Sequence, residues 1–227
     1  MHSRRASRRA HPARRVVTLG GGLIALGALV AAVGCARAVA PLRGTPTAPA
    51  TLPPIELTGA KRIDFRWDYN EDFVVARGEG VARIVAPDSA RLDFFADGGF
   101  GSGYALLFGE RFVTPGGDLV RNILPSAPMM WAAVGRLAVP PLRDTTATVD
   151  GGILRADIGQ GPVWRVTVND GRLASLEYIE GGRVVESVTR APDGSVRYAN
   201  PRTRRMLRIT ITREETVQGF DAAIWRP

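Results

Sequence analysis

Nucleophilic and metal-binding chemistry draws first on Cys, His and Lys, and this chain of 227 residues holds one Cys, two His and one Lys. Both histidines, His2 and His11, and the cysteine, Cys35, lie ahead of everything that reads as a folded domain. A Ser-His-Asp or Cys-His arrangement needs an imidazole, and transition-metal sites rely mainly on imidazole and thiolate. Neither can be assembled from the residues beyond Cys35. A Ser-Lys dyad would have to use Lys61, which stands at the start of an exposed strand face. Paired carboxylates remain as a catalytic device. Asp64 and Asp68, however, share a strand face with Arg62 and Arg66 and read as solvated charge alternation, and Asp157, Glu177, Glu186, Asp221 and the Glu214-Glu215 pair stand in no motif. Gly99-Phe100-Gly101-Ser102-Gly103 leads into the strand pattern Tyr104 to Phe108, where a phosphate-binding loop needs a helix. The expectation is a protein that is not an enzyme, with no catalytic residue, no cofactor and no metal.

Cys35 has a chemistry of its own. Six arginines occupy the first fifteen residues, and no acid precedes Glu56. Val16 to Val33 is an apolar run broken only by Thr18, and it closes on Ala32-Val33-Gly34-Cys35. A basic start, an apolar stretch and small residues at its end make an export signal. The last four residues resemble the lipobox of bacterial lipoproteins, with Ala32 where Leu is more usual; there the cysteine is diacylated and becomes the N-terminus. Eighteen apolar residues are also just enough to cross a bilayer, but the place of the only cysteine favours lipidation. Removing residues 1–34 with their six arginines leaves 193 residues and a net charge of +2, so the +8 of the whole chain is mostly an export address and no signal for nucleic acid.

Any site must be positioned by the elements farther along the chain. Residues 35–54, with Pro41, Pro46, Pro49, Pro53 and Pro54 among Ala, Thr and Arg, read as a semi-extended tether behind the anchor. Residues 55–227 read as the domain. Arg62 to Tyr69 alternates charged and apolar residues, as do Trp164 to Asn169 and Leu207 to Thr212, each pattern giving a half-buried antiparallel strand. Weaker strands are expected at 76–86, 90–96, 103–109, 111–114, 153–158, 173–179, 184–190 and 222–226. Asn169-Asp170-Gly171, Glu180-Gly181-Gly182 and Pro192-Asp193-Gly194 are hairpin signals about a dozen residues apart, the rhythm of a meander. About ten or eleven strands make a twisted sheet that curls. Ser126 to Leu137, with Pro128 suited to a first turn, reads as a short helix lying in the hollow.

Two sets of residues are candidates for binding. Phe65, Trp67, Leu107, Met129, Met130, Trp131 and Trp164 either pack as ordinary core or line a cavity for acyl chains, for which adaptable Met beside Trp is suited. Arg202, Arg204 and Arg205, with Arg208 nearby, either meet lipid head-group phosphates or form a solvated loop in an Arg-rich chain.

In order along the chain come the lipobox, the Pro-rich segment, Gly78-Glu79-Gly80-Val81-Ala82-Arg83-Ile84, Pro87-Asp88-Ser89-Ala90-Arg91-Leu92-Asp93, a Gly-rich turn, a strand pair, the Met129 to Leu137 helix and a hairpin meander. This order resembles the LolA/LolB-like superfamily of lipoprotein carriers and receptors, in its LolB-like lipoprotein branch, over residues 55–227. The resemblance implies a curved antiparallel half-barrel closed by one or two short helices, whose apolar hollow shelters acyl chains of lipids or lipoproteins. The partners it implies are a membrane reached through the lipid anchor, those acyl chains and an envelope carrier protein. It also implies an outer-membrane position facing the periplasm; Ala36 stands where Asp implies inner-membrane retention in enteric relatives. In LolB receptors an exposed hydrophobic loop assists transfer, and Phe100 and Leu119 are the candidates for such a loop. The other expectation is a structural or interaction lipoprotein whose hollow is filled by its own side chains.

Overall fold

A computed structural model describes residues 39–49, 52–99, 101–115, 123–140 and 144–226. The export signal, Cys35, Phe100 and Leu119 lie outside the described residues. The described residues fall in one compact unit, and the described core runs from Ile55 to Leu207 within it.

The architecture is one open, all-antiparallel sheet of 13 strands curved into a half-barrel. In chain order these are β1 (Thr45–Thr47), β2 (Ala60–Glu71), β3 (Val74–Val85), β4 (Ser89–Ala96), β5 (Ser102–Phe108), β6 (Arg111–Val113), β7 (Thr145–Asp150), β8 (Ile153–Ile158), β9 (Val163–Asn169), β10 (Arg172–Glu180), β11 (Arg183–Arg190), β12 (Val196–Asn200) and β13 (Arg205–Val217). β2 to β6 and β7 to β13 are two up-and-down meanders, and the long pairing of β13 with β2 joins them. The helix expected at 126–137 is shorter: α1 spans Ala127–Ala133. It ends where Gly135 takes a φ of 91°, a left-handed conformation that costs glycine least.

Alternation produces the two faces. From β2 the inner face takes Ile63, Phe65, Trp67 and Tyr69, and from β9 it takes Trp164, Val166 and Val168; all are buried. Gly78 and Gly80 of β3 stand opposite Trp67 and Phe65. A Cβ on Gly80 would lie 2.3 Å from the Phe65 ring and 2.7 Å from the Asp93 carbonyl oxygen, so the absence of a side chain there is what lets the aromatic ring lie over the strand. α1 crosses the hollow against β10, β11 and β12, and at its far side the Trp131 indole N–H donates to the Gly109 carbonyl between β5 and β6, at 2.6 Å.

Three departures from the sequence reading have physical causes. The 35–54 segment is not a free tether over its described part. The Val39 N–H donates to the Gly182 carbonyl at 3.0 Å, Arg165 donates to the Ala40 carbonyl at 2.7 Å, and Thr148 donates to the Arg43 carbonyl at 2.9 Å. Gly44, at φ 120°, then turns the chain into β1, which pairs with β7. Residues 39–43 are therefore a strap over the outer side of β7 to β10, residues 45–47 extend the sheet, and Ile55 is already core. The strand expected at 222–226 is a 3-10 turn, Ala222–Trp225, whose Asp221 side chain caps the Ala223 N–H at 2.8 Å. It packs on the outer face, where Trp225 meets Phe108 edge-on and Arg91 donates to the Ile224 carbonyl. Finally β1, β7 and β12 raise the strand number from the expected ten or eleven to 13.

Candidate functional site

Two ends of the half-barrel must be distinguished. One carries the start of β2 and the β9–β10 and β11–β12 turns; the other carries the β2–β3, β10–β11 and β12–β13 turns.

At the first end a cleft of about 520 Å³ opens between the C-terminal end of α1, the segment before β2 and the ends of β10, β11 and β13. Its apolar walls include Ile63, Ile84, Leu173, Ile211, Ala133 and Val134, and it holds the charged Glu56, Lys61, Arg172, Arg190 and Glu214. It shares Ile63, Ile211, Ala133 and Val134 with an inner apolar pocket bounded also by Phe65, Leu92, Met130 and Ile209. The inner pocket is pinched to about 20 Å³, room for about one water. The cleft itself falls within the roughly 300–1,000 Å³ of ordinary small-molecule sites.

Of the seven apolar candidates, Phe65 and Met130 bound the inner pocket. Trp164 lies at a separate, mostly apolar groove of about 420 Å³ on the opposite end, with Pro128, Pro140, Pro162, Tyr178 and Val185. Trp67, Leu107, Met129 and Trp131 are packed core, each no more than 1% exposed. Trp67 meets Phe94 edge-on at 6.0 Å and donates its indole N–H to the Glu79 carbonyl at 2.9 Å. Those four fill the hollow, and the space begins beside them.

The arginine candidates sit at the end away from the cleft. Arg205 donates to Glu71 at 3.0 Å, Arg204 to Asp72 at 3.2 Å, and Arg202 approaches Glu180 at 3.6 Å. The Tyr69 hydroxyl also donates to Glu71. Burial, then that carboxylate, push the Tyr69 hydroxyl up to about 12, while the hydroxyl holds Glu71 below its ordinary value. Each of the three cations thus has a carboxylate partner.

One feature escaped the sequence reading. Beside Arg204 and Asp72 the β2–β3 hairpin carries Phe73, 102% exposed, followed by Val75 at 72%. The signal was available in Asp72-Phe73-Val74-Val75, an apolar side chain placed at a two-residue turn. A bare aromatic tip of this kind is suited to the interfacial zone of a bilayer, where apolar surface leaves water.

No family model and no curated protein matches the chain. Among solved structures it is similar to a LolA superfamily protein from Nitrosomonas europaea, with a TM-score of 0.49 and 7% identity over 74% of this chain and 90% of that one. It is similar also to an outer membrane lipoprotein-sorting protein domain from Vibrio parahaemolyticus, described as putative, with a TM-score of 0.42 and 12% identity over 74% and 89%. A third is a DUF1329 family protein from Desulfovibrio piger, with a TM-score of 0.39 and 11% identity over 74% and 89%. All three scores lie below 0.5, so the functional reading rests on the geometry of the hollow and of the hairpin tip.

Proposed function

We propose that this is an exported lipoprotein, anchored through Cys35 in the envelope, at the outer membrane on its periplasmic side, which holds acyl chains of lipids or lipoproteins under α1 for localisation or transfer. It is a binding protein and not an enzyme. The observation that carries the reading is the continuity of the 520 Å³ cleft with the apolar pocket behind it: Ile63, Ile211, Ala133 and Val134 belong to both. Apolar area taken from water there contributes about 25 cal/mol per Å², and Met130, unbranched and flexible, is a wall that can yield to a chain. The Phe73 tip is the part suited to touch the bilayer during transfer.

A second reading keeps the anchor and drops the ligand. Trp67, Leu107, Met129 and Trp131 are fully buried, and an envelope-assembly or sensory lipoprotein would need no more than such a core. Native mass spectrometry of the chain from Ala36 onward, purified from an envelope extract, separates the two. Adducts with acyl-lipid masses that disappear on delipidation are the expected result. A single ligand-free mass, together with no saturable uptake of a fluorescent fatty acid, leaves the structural reading.

A further inference from the structure

We propose that the cleft is a site for an amphiphile with an anionic head group, held between Arg172 and Arg190, whose single chain runs over Ile63 and Ile211 toward α1. The inference rests on the acyl-binding reading above and goes beyond it by stating the head group.

Charge pairing in the cleft is incomplete. Of the five charged side chains lining it, Lys61 and Glu214 are paired at 2.9 Å. Among the described residues Arg172 has no carboxylate within ion-pair distance, and neither has Arg190, whose guanidinium donates to the neutral Ala133 and Gly194 carbonyls at 2.8 and 3.4 Å. Glu56, exposed, is the one acid of the lining besides Glu214, which Lys61 already holds. Arg202, Arg204 and Arg205 at the other end are, by contrast, each held by an acid.

The two cations also act on each other. Burial pushes the Arg190 guanidinium below its ordinary value; Glu214 draws it back up, and Arg172 pushes it down again. An anion placed between two guanidiniums removes that repulsion and accepts charge-assisted hydrogen bonds from both. Helix placement adds a second constraint. Arg190 bridges β11 to the last turn of α1 through the Ala133 carbonyl, so a head group bound by Arg190 leaves its chain beside Ala133 and Val134, where the cleft meets the inner pocket. A carboxylate and a phosphate satisfy this chemistry equally, which leaves fatty acids and single-chain phospholipids as the two sources.

The test uses the chain from Ala36 onward, which keeps every described residue and the whole described core. Isothermal titration compares dodecanoate, dodecyl phosphate and dodecanol, all of one chain length. The two anions are expected to bind at least about tenfold tighter than the alcohol at low salt, with the advantage shrinking as screening increases. Arg172→Glu, a change at an exposed hairpin residue, is expected to erase that advantage and leave dodecanol unchanged. Tighter binding of dodecanoate points to fatty acids, and tighter binding of dodecyl phosphate to phospholipid heads. If dodecanol binds as well as the anions, or if Arg172→Glu keeps the preference, the head-group proposal fails and the acyl site stands. If none of the three binds, both fail.

Discussion

The inner face of the sheet is solid on one side of α1 and hollow on the other, although the strands turn apolar side chains inward on both sides. On the solid side Phe65 and Trp67 meet Phe94 edge-on at 5.5 and 6.0 Å, and the large Trp131 side chain of α1 is buried with its indole N–H bonded to the Gly109 carbonyl. On the hollow side the strands present Ile63, Ile84 and Ile211, and the helix stops at Ala133 before Gly135 turns the chain. Aliphatic side chains of that size do not reach across, and the cleft is what remains. Side-chain reach and helix length, more than hydrophobicity, decide where this fold packs and where it leaves space.

The comparison breaks most easily on the solid side. Trp131→Ala removes a side chain that is 1% exposed and its bond to Gly109, and is expected to cost about 3–5 kcal/mol in a denaturant titration. A cost below about 1 kcal/mol would mean that the solid side is no more packed than the cleft. Gly80→Ala is next. Its Cβ must displace the Phe65 ring or the β4 backbone, an overpacking expected to cost about 1–3 kcal/mol in the same assay. If the ring yields, it moves toward the inner pocket, which it bounds; the loss should then fall on acyl binding as well as on stability.

The hollow side answers differently. Val134 bounds both the cleft and the inner pocket and is only half-buried. Val134→Phe is expected to leave stability within about 1.5 kcal/mol of the parent, yet to weaken fatty-acid uptake at least about tenfold. Unchanged uptake would place the ligand elsewhere, with the Trp164 groove as the first alternative.

Alternation encodes which side chains face inward, and the legible part of the fold is the part that it marks: β2, β9 and β13 and the hairpins between β9 and β12 stand out. Strands that lack an apolar alternation of their own escape it. β7 is rich in Thr, with Thr148 buried on the outer face beneath the strap, and β1 is three residues around Pro46. Alternation does not say whether inward side chains meet. Choosing the largest, Trp67 and Trp131 among them, picks out fully buried core residues, whereas the cavity is bounded by the smaller Ile63 and Ile211 and by Val134 at the helix end. The 222–226 segment misleads for a related reason, since Ile224 and Trp225 are apolar but pack on the outer face against Phe108.

The smallest expected effect lies on that outer face. Glu177 stands near Arg165 and Asp157, where Arg165 donates to Asp157 at 2.7 and 2.8 Å and also holds the strap. Burial pushes the Glu177 carboxyl up; Arg165 opposes this, and Asp157 adds to it. A raised carboxyl means that the folded chain keeps a proton the unfolded chain has released, so stability falls as pH rises from the unfolded value through the folded one. Glu177→Gln is therefore expected to melt slightly higher than the parent at pH 7, with the gap closing near about pH 4. A variant that melts lower at pH 7 would mean that attraction to Arg165 outweighs the burial.

The claim that an acyl chain lies in the hollow is tested most directly by covalent capture. A fatty acid carrying a photoactivatable diazirine near its methyl end is bound to the chain from Ala36 onward, irradiated, and the adducts located by peptide mass spectrometry. Adducts on Ile63, Met130, Val134 or Ile211, suppressed by excess dodecanoate, are the predicted result. Adducts scattered over the exposed Phe73 hairpin and the outer face, unchanged by the competitor, would contradict it.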